Sequence, residues 1–190
     1  MKIIAGHFRG ITIEAPKGLK FRPTANLVRE AVFNVLASRI QGSVVLDLFA
    51  GSGAYGFEAM SRGASRVVFV DLNRVACDHI RRVGKKLNLG DEIQTLNMSA
   101  DQAVKTLLTN GRKFSVIFLD PPYYSDMIYK LFSYERFMDL LTADGLIIFE
   151  GPGRCDPPTG PVGSTHLFSR KYGETVVNMY SQVGAHENEV

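Results

Sequence analysis

The feature that most constrains this chain is the run from Val44 to Gly56, Val-Val-Leu-Asp-Leu-Phe-Ala-Gly-Ser-Gly-Ala-Tyr-Gly. A short apolar run rich in valine and leucine reads as a buried strand. It stops at Asp47, passes into a glycine turn and restarts as the helical pattern Phe57-Glu58-Ala59-Met60. Strand, glycine loop and helix in that order build a nucleotide pocket at the carboxyl ends of an open α/β sheet. Glycine serves there because it accepts positive φ and lets backbone approach a ligand closely. The spacing Gly51-x-Gly53-x-x-Gly56, with Asp71 twenty positions after Gly51, matches the dinucleotide fingerprint. That match alone does not separate a nicotinamide cofactor from other adenosine-containing ligands. Two further features bear on the choice. Asp47 stands before the glycines, where a carboxylate repels a pyrophosphate but accepts hydrogen bonds from an ammonium group. Asp120-Pro121-Pro122-Tyr123 closes another buried apolar run, Val116-Ile117-Phe118-Leu119.

The remaining chain alternates in the same way. Strands are expected at Arg66–Asp71, Ile93–Met98 and Leu146–Glu150, and helices from Arg74 to about Leu89 and from Gln102 to Leu108. A helix capped by Thr24 or Asn26 should run to about Arg39 with Leu27, Ala31, Val35 and Leu36 along one face, and helical spacing resumes from Met127 to Leu141. Gly151 to Gly163 holds four prolines and four glycines and reads as an irregular loop. His166–Arg170 and Thr175–Tyr180 read as an antiparallel hairpin around Tyr172-Gly173. At the other end, Ile3-Ile4-Ala5 and Ile11-Thr12-Ile13 flank Gly6 to Gly10 as an N-terminal β-hairpin, followed by a basic loop from Lys17 to Thr24. The expected fold is α/β, a mostly parallel sheet with helices on both faces and a C-terminal antiparallel hairpin. It should form one domain over residues 1–183, with 1–23 as an extension and 184–190 as a frayed tail.

Composition sets the outer limits. At 190 residues and 45% hydrophobic, the chain can bury a sizeable core. It shows no signal-type leader and no apolar run of bilayer length, which leads us to expect a soluble, cytoplasmic protein. Cys77 and Cys155 have no metal-ligand spacing, so free thiols and no metal are expected. The net charge of +3 says little, but Lys2, Arg9, Lys17, Lys20, Arg22 and Arg29 face the single acid Glu14 within the first 29 residues. Such a surface suits a phosphate-rich partner, and a merely solvated positive face is the alternative. Arg74, Arg81, Arg82, Lys85 and Lys86 read as a solvated helix face.

The two central motifs, Asp47-Leu48-Phe49-Ala50-Gly51-Ser52-Gly53 and Asp120-Pro121-Pro122-Tyr123, resemble those of S-adenosylmethionine-dependent methyltransferases that act on an exocyclic amine, with the Rossmann-like class I fold. The resemblance implies that Asp47, Phe49, Ala50, Gly51, Ser52 and Gly53 cradle the methionine end of the cofactor, and that Asp71 and Leu72 meet its ribose side. Asp101, after the third strand, would lie beside the adenine; a helix N-cap also explains an aspartate there. Ile3-Ile4-Ala5-Gly6-His7-Phe8-Arg9-Gly10, Phe21-Arg22-Pro23-Thr24 and Val28-Arg29-Glu30 resemble the opening of bacterial small-subunit ribosomal RNA guanine-N2 methyltransferases, with Phe21 where leucine is more usual. The likeness continues to about Glu150. It implies small-subunit ribosomal RNA or an assembling 30S subunit as partner, with Lys2, His7, Arg9, Lys17, Lys20 and Arg29 touching RNA and Arg22 and Thr24 walling the cofactor. Nothing in the sequence demands more than a monomer. The early turn into Gly151-Pro152-Gly153 departs from the family pattern.

An exocyclic amine is a poor nucleophile because its lone pair is delocalised into the ring. Two acceptors on its N–H groups, the Asp120 carboxylate and the Pro121 carbonyl, would turn that lone pair toward a methyl donor. Pro121 and Pro122 stiffen the turn that holds them, and Tyr123 offers a ring for the base to stack on. A carbon-5 pyrimidine methyltransferase needs a cysteine nucleophile, usually beside a proline, and neither Cys77 nor Cys155 fits. A DNA amino-methyltransferase acting on adenine or cytosine adds a target-recognition region for which the chain has no room. Glutamine methyltransferases carry Asn in place of Asp120. A non-catalytic RNA-binding module would leave both motifs idle.

Overall fold

The computed structural model of the chain describes residues 1–14, 26–122, 126–153 and 159–184. Lys17, Lys20, Phe21, Arg22, Thr24, Tyr123, Cys155 and the tail beyond residue 184 lie outside them. The chain forms two compact units, Met1–Ala103 and Val104–Val190.

The first unit is built on α1 (Asn26–Ile40), β1 (Val44–Asp47), α2 (Ala54–Ser61), β2 (Arg66–Asp71), α3 (Arg74–Lys86) and β3 (Ile93–Asn97). Its strands lie parallel in the order β3-β2-β1, with Leu46 opposite Val68 and Phe69 opposite Thr95. β1 and β2 are buried almost throughout, which is why they read as unbroken apolar runs. β3 is half-exposed along its length, as an edge strand is. α4 (Ala100–Thr109) carries the chain into the second unit.

The second unit holds β4 (Phe114–Leu119), α5 (Met127–Phe132), a 3-10 turn (Phe137–Leu140), β5 (Leu141–Pro152), β6 (Ser164–Tyr172) and β7 (Thr175–Gln182), in the order β4-β5-β7-β6. β4 and β5 are parallel; β5, β7 and β6 are antiparallel neighbours. Tyr172 pairs with Thr175 across the two-residue turn Gly173-Glu174, where Gly173 takes φ 59°, so the expected closing hairpin forms with its turn one residue later and with longer strands. With seven strands among the described residues, mostly parallel where helices join them, the chain has the expected α/β class.

Several expectations need correcting. The two N-terminal limbs do pair antiparallel, but only through the isolated bridge Lys2–Thr12 and not as regular strands, with Ile3 N–H donating to Ile11 O (3.0 Å), Gly10 N–H to Ile3 O (3.0 Å) and Ile13 N–H to Met1 O (2.8 Å). The arm is also held by α2. Both oxygens of the buried Glu58 carboxylate accept from it, Oε2 from Ile4 N–H (2.8 Å) and Oε1 from Ala5 N–H (3.1 Å). Ser61 takes His7 N–H on its carbonyl (2.7 Å) and Phe8 N–H on its hydroxyl (2.9 Å). The buried face of α1 is Val28, Arg29, Val32, Phe33, Leu36 and Ile40, one position out of phase with the expected stripe, so Leu27 and Val35 are exposed. The helical run from Met127 breaks after Phe132 and resumes only as the 3-10 turn. β5 does not end at Glu150: Gly151 and Pro152 continue it opposite Val176 and Thr175. A proline is tolerated at that strand end, where the ladder needs no further donor from it.

Glu58 also organises two cations. Arg62 Nε lies 2.8 Å from Oε1 and stacks its guanidinium 4.9 Å above the Phe33 ring. Arg29 Nε lies 3.6 Å from Oε2, with both side chains fully buried. Arg29 was expected on the RNA-facing surface, and this pairing removes it from there. Its hydrogen bonds go to Lys2 O (2.6 Å), Asn26 Oδ1 (3.1 Å) and Met1 Sδ (3.8 Å), all inside the unit. Burial lowers the Arg29 pKa from its ordinary value while Glu58 opposes the shift. Replacing Glu58 with leucine strands a buried guanidinium and the amides of Ile4 and Ala5. The expected loss is about 3–5 kcal/mol in urea unfolding. A loss under about 1 kcal/mol, the worth of a surface pair, would show the network to be incidental.

Candidate active site

The glycine loop hangs between β1 and β2. Ala50 N–H donates to Val70 O (2.9 Å) and Gly53 N–H to Ala50 O (2.7 Å), closing a tight turn. Gly53 sits at φ 79° as the residue before α2, a conformation that favours glycine. Gly56 has a different reason: a Cβ there would stand 2.1 Å from Cε1 of Phe69. Its missing side chain lets α2 lie on β2, so the first, second and third glycines of the motif serve loop, turn and packing.

Two aspartates flank this loop. Asp47, ending β1, is buried, and its Oδ2 accepts Gly56 N–H (3.0 Å) from the first turn of α2. Burial pushes its pKa up to about 7, helped by the nearby Asp71 and opposed by the Gly56 amide. Asp71, ending β2, is half-buried; Oδ2 accepts Gly51 N–H (2.7 Å) and Oδ1 accepts Asn73 N–H (2.8 Å). Each oxygen keeps a second lone pair for a ligand hydroxyl. Asn73, not Asp71, caps α3, its Oδ1 accepting Val75 N–H (2.8 Å). Asp71 is therefore not needed as that helix cap.

Beside Asp71, Leu72 is 74% exposed, an apolar side chain with no core to join. Asn97, which sequence reasoning missed, donates from Nδ2 to Asp71 O (3.0 Å) and Leu72 O (2.9 Å), pinning that corner. Its signal was available: Asn97 ends β3 directly opposite Asp71 in register. Phe49, Gly51 and Ser52 are half-buried, Ala50 and Gly53 buried. Asp101 is exposed in the first turn of α4. Of the expected RNA contacts, Lys2, His7 and Arg9 are exposed on the arm, while Arg29 is not.

In the second unit Asp120 follows β4 directly and is half-buried, with Pro121 buried and Pro122 exposed. Among the described residues no cluster of His, Cys, Asp and Glu could hold a metal ion, and no helix is long and apolar enough to cross a membrane.

The sequence profile described as "Conserved hypothetical protein 95" matches residues 1–181. The chain belongs to this family. Bacillus subtilis YlbH is 33% identical over 185 residues, covering 97% of this chain and all of that one. Ribosomal RNA small subunit methyltransferase D of Escherichia coli K12 is 28% identical over 189 residues, covering the whole chain and 93% of that protein. Among solved structures, E. coli yhhF superposes with a TM-score of 0.81 at 29% identity, over 96% of this chain and 97% of that one. Fold and family together make this member of the Conserved hypothetical protein 95 family a methyltransferase.

A buried carboxylate near pKa 7 binds more protons folded than unfolded between pH 4 and 7, so its burial destabilises the ligand-free protein as pH rises through that window. Asp47→Asn removes this effect. In urea unfolding without ligand, the variant should match wild type near pH 4 and exceed it at pH 8, by at most about 4 kcal/mol. A wild type equally stable relative to the variant at both pH values would show Asp47 to be ionised in the folded chain.

Proposed function

We propose that the protein transfers a methyl group from S-adenosylmethionine to the exocyclic N2 amine of a guanine in small-subunit ribosomal RNA. The observation that carries this reading is Asp120-Pro121-Pro122 at the end of β4. The chain bearing it is similar over its whole length to a ribosomal RNA small subunit methyltransferase.

The donor set around the glycine loop fits the cofactor. Asp47 is a buried carboxylate accepting only one described hydrogen bond, and a cationic amino group would relieve its burial. Asp71 offers both oxygens to ribose hydroxyls, and exposed Leu72 offers an apolar face to the adenine. Phe49, Ala50, Gly51, Ser52 and Gly53 form the backbone cradle, and Asp101 would accept from the adenine amino group. Arg22 and Thr24 would close this side. S-adenosylmethionine supplies an electrophilic methyl carbon on a positively charged sulfonium.

The protein's own task is to prepare the amine. Asp120 and the Pro121 carbonyl accept its two N–H bonds, which directs the nitrogen lone pair away from the ring. Tyr123 holds the base by stacking. The prolines restrict the backbone so that this alignment needs little reorganisation. After transfer the methylated nitrogen is acidic, and Asp120 is the nearest named group in this reading to take its proton. Lys2, His7, Arg9, Lys17 and Lys20 would draw the RNA backbone to the arm.

The test is transfer of labelled methyl from S-adenosylmethionine to 30S particles or small-subunit RNA from cells lacking the activity, followed by digestion to nucleosides. Label in N2-methylguanosine is expected; label in adenine or cytosine amines overturns the substrate. Asp120→Asn should lower kcat by at least about 100-fold, the scale of losing an acceptor at the reacting group, with cofactor affinity unchanged. Full activity in that variant would remove Asp120 from the mechanism. Reversing Lys2 and Arg9 to glutamate should weaken RNA binding and spare cofactor binding; equal loss of both would refute the arm's separate role.

A further inference from the structure

Helix α3 carries two charged stripes with different surroundings. On one, Asp78 pairs with Arg81 (2.8 Å) and Arg74 (3.8 Å). On the other, Val75, His79, Arg82, Val83 and Lys86 recur at helical spacing and face the arm segment Ile11–Glu14. Between them lies a groove of about 470 Å³, entirely within the first unit. That volume falls within the range of small-molecule sites, about 300–1,000 Å³.

The groove is two-sided in character. Val75 is exposed and Ile11 half-buried along its aliphatic wall, with Ile13, Val83 and Leu87 buried behind them, while Arg82 and Lys86 stand exposed at its rim. Neither cation has an ion-pair partner among the described residues, unlike Arg74 and Arg81 one stripe away. Like charges at i and i+4 repel by a few tenths of a kcal/mol, a small effect that an anion between them would reverse. His79 adds a second observation. It is only 6% exposed, and its Nε2 has no hydrogen-bond partner among the described residues. Burial, Arg82 and the Met1 ammonium all lower its pKa, so the ring stays neutral. Glu14, the acid at the rim, makes no ion pair with either cation among the described residues, and Thr12 beside it carries a hydroxyl.

We propose that this groove binds one nucleotide of the RNA substrate, its phosphate between Arg82 and Lys86 and its sugar and base against the aliphatic wall. Glu14 and Thr12 then offer polar atoms to the edge of the base, as single-stranded RNA recognition requires. The inference rests on the reading of the protein as an RNA methyltransferase. It adds a second binding region to the exposed face of the arm, so the RNA engages the arm on the α3 side as well.

The test compares two double variants with the same change of charge, Arg82→Gln with Lys86→Gln and Arg74→Gln with Arg81→Gln. RNA binding is measured by filter retention between about 50 and 200 mM KCl, where phosphate neutralisation dominates affinity. The groove variant should flatten the slope of log affinity against log salt by about 0.7 for each single-strand phosphate it no longer engages. Its cofactor affinity and melting temperature should stay at the wild-type values, and the Arg74 and Arg81 variant should keep the wild-type slope. The proposal falls if the groove variant keeps the wild-type slope while wild type binds and methylates RNA. It also falls if both double variants weaken equally, since the attraction would then be spread over the helix. A wild type that itself binds no RNA would overturn the methyltransferase reading together with this site, and the wild-type titration alone reveals that case.

Discussion

The first unit depends on one buried carboxylate. Glu58 sits on α2, the helix that begins at the glycine loop, and it is fully enclosed. An ion in that position is tolerable only when its lone pairs and charge are answered, and four partners answer them: two arm amides, Arg29 from α1 and Arg62 one turn on. The result is a junction where arm, α1 and α2 meet. Gly6 takes part: a side chain there would run into the Ser61 carbonyl, so the arm can lie directly on the end of α2. The arm's own antiparallel pairing is short, too little to hold a hairpin alone, and its attachment to this helix adds to its order.

A second carboxylate pair gives the loop its chemical character. The strands β1 and β2 both end in aspartate, and both side chains turn back to backbone amides at the glycine loop or its helix. Asp71, half-exposed, sits in a hydrogen-bonded corner held by Asn73 and Asn97. Asp47, enclosed and with one described amide partner, is pushed toward neutrality. One loop therefore offers two acids in different surroundings, a hydrogen-bond acceptor on its outer side and an enclosed carboxyl without a cation on its inner side. A ligand with hydroxyls at one end and an ammonium at the other matches that polarity, whereas a pyrophosphate would find carboxyl oxygens and no cation at either.

Much of this was legible in the sequence because the parallel strands are buried on both faces and so appear as uninterrupted apolar runs. The glycine spacing was legible for a similar reason: φ at Gly53 and the closeness of Phe69 to Gly56 leave no other residue type suitable. What could not be read depends on partners distant in the chain. Arg29 looks like any cation of a basic segment until Glu58, 29 positions later, is brought beside it. The phase of α1 misled because Leu27 and Val35 form as good a stripe as Val28 and Val32, and only packing decides between them. Gly151 and Pro152 carry turn signals, yet pairing with β7 overrides local preference and draws them into β5. In the helical run after Met127 the apolar period persists across a break, because periodicity reports which side faces the core and not whether the backbone stays helical.

The same junction that orders the arm also determines what lies beneath it. Glu58 and Ser61 hold residues 4–8 on α2, while the paired bonds between Met1 and Ile13, the bond from Ile3 N–H to Ile11 O and that from Gly10 N–H to Ile3 O bring the returning limb back alongside the first. That limb, Ile11–Glu14, forms one wall of the groove whose other wall is α3. Ile13, Val83 and Leu87 are buried, so the floor of the groove is packed, while Val75 and Ile11 keep apolar surface along it. Among the described residues the two cations at its rim and the imidazole nitrogen in its wall find no partner. The repulsion between the two cations and the partnerless nitrogen each cost the free chain a little, although Lys86, in the last turn of α3, also meets the negative end of the helix dipole. A ligand that answers them recovers that cost. Here their chemistry, cationic at the rim and aliphatic within, is complementary to a nucleotide.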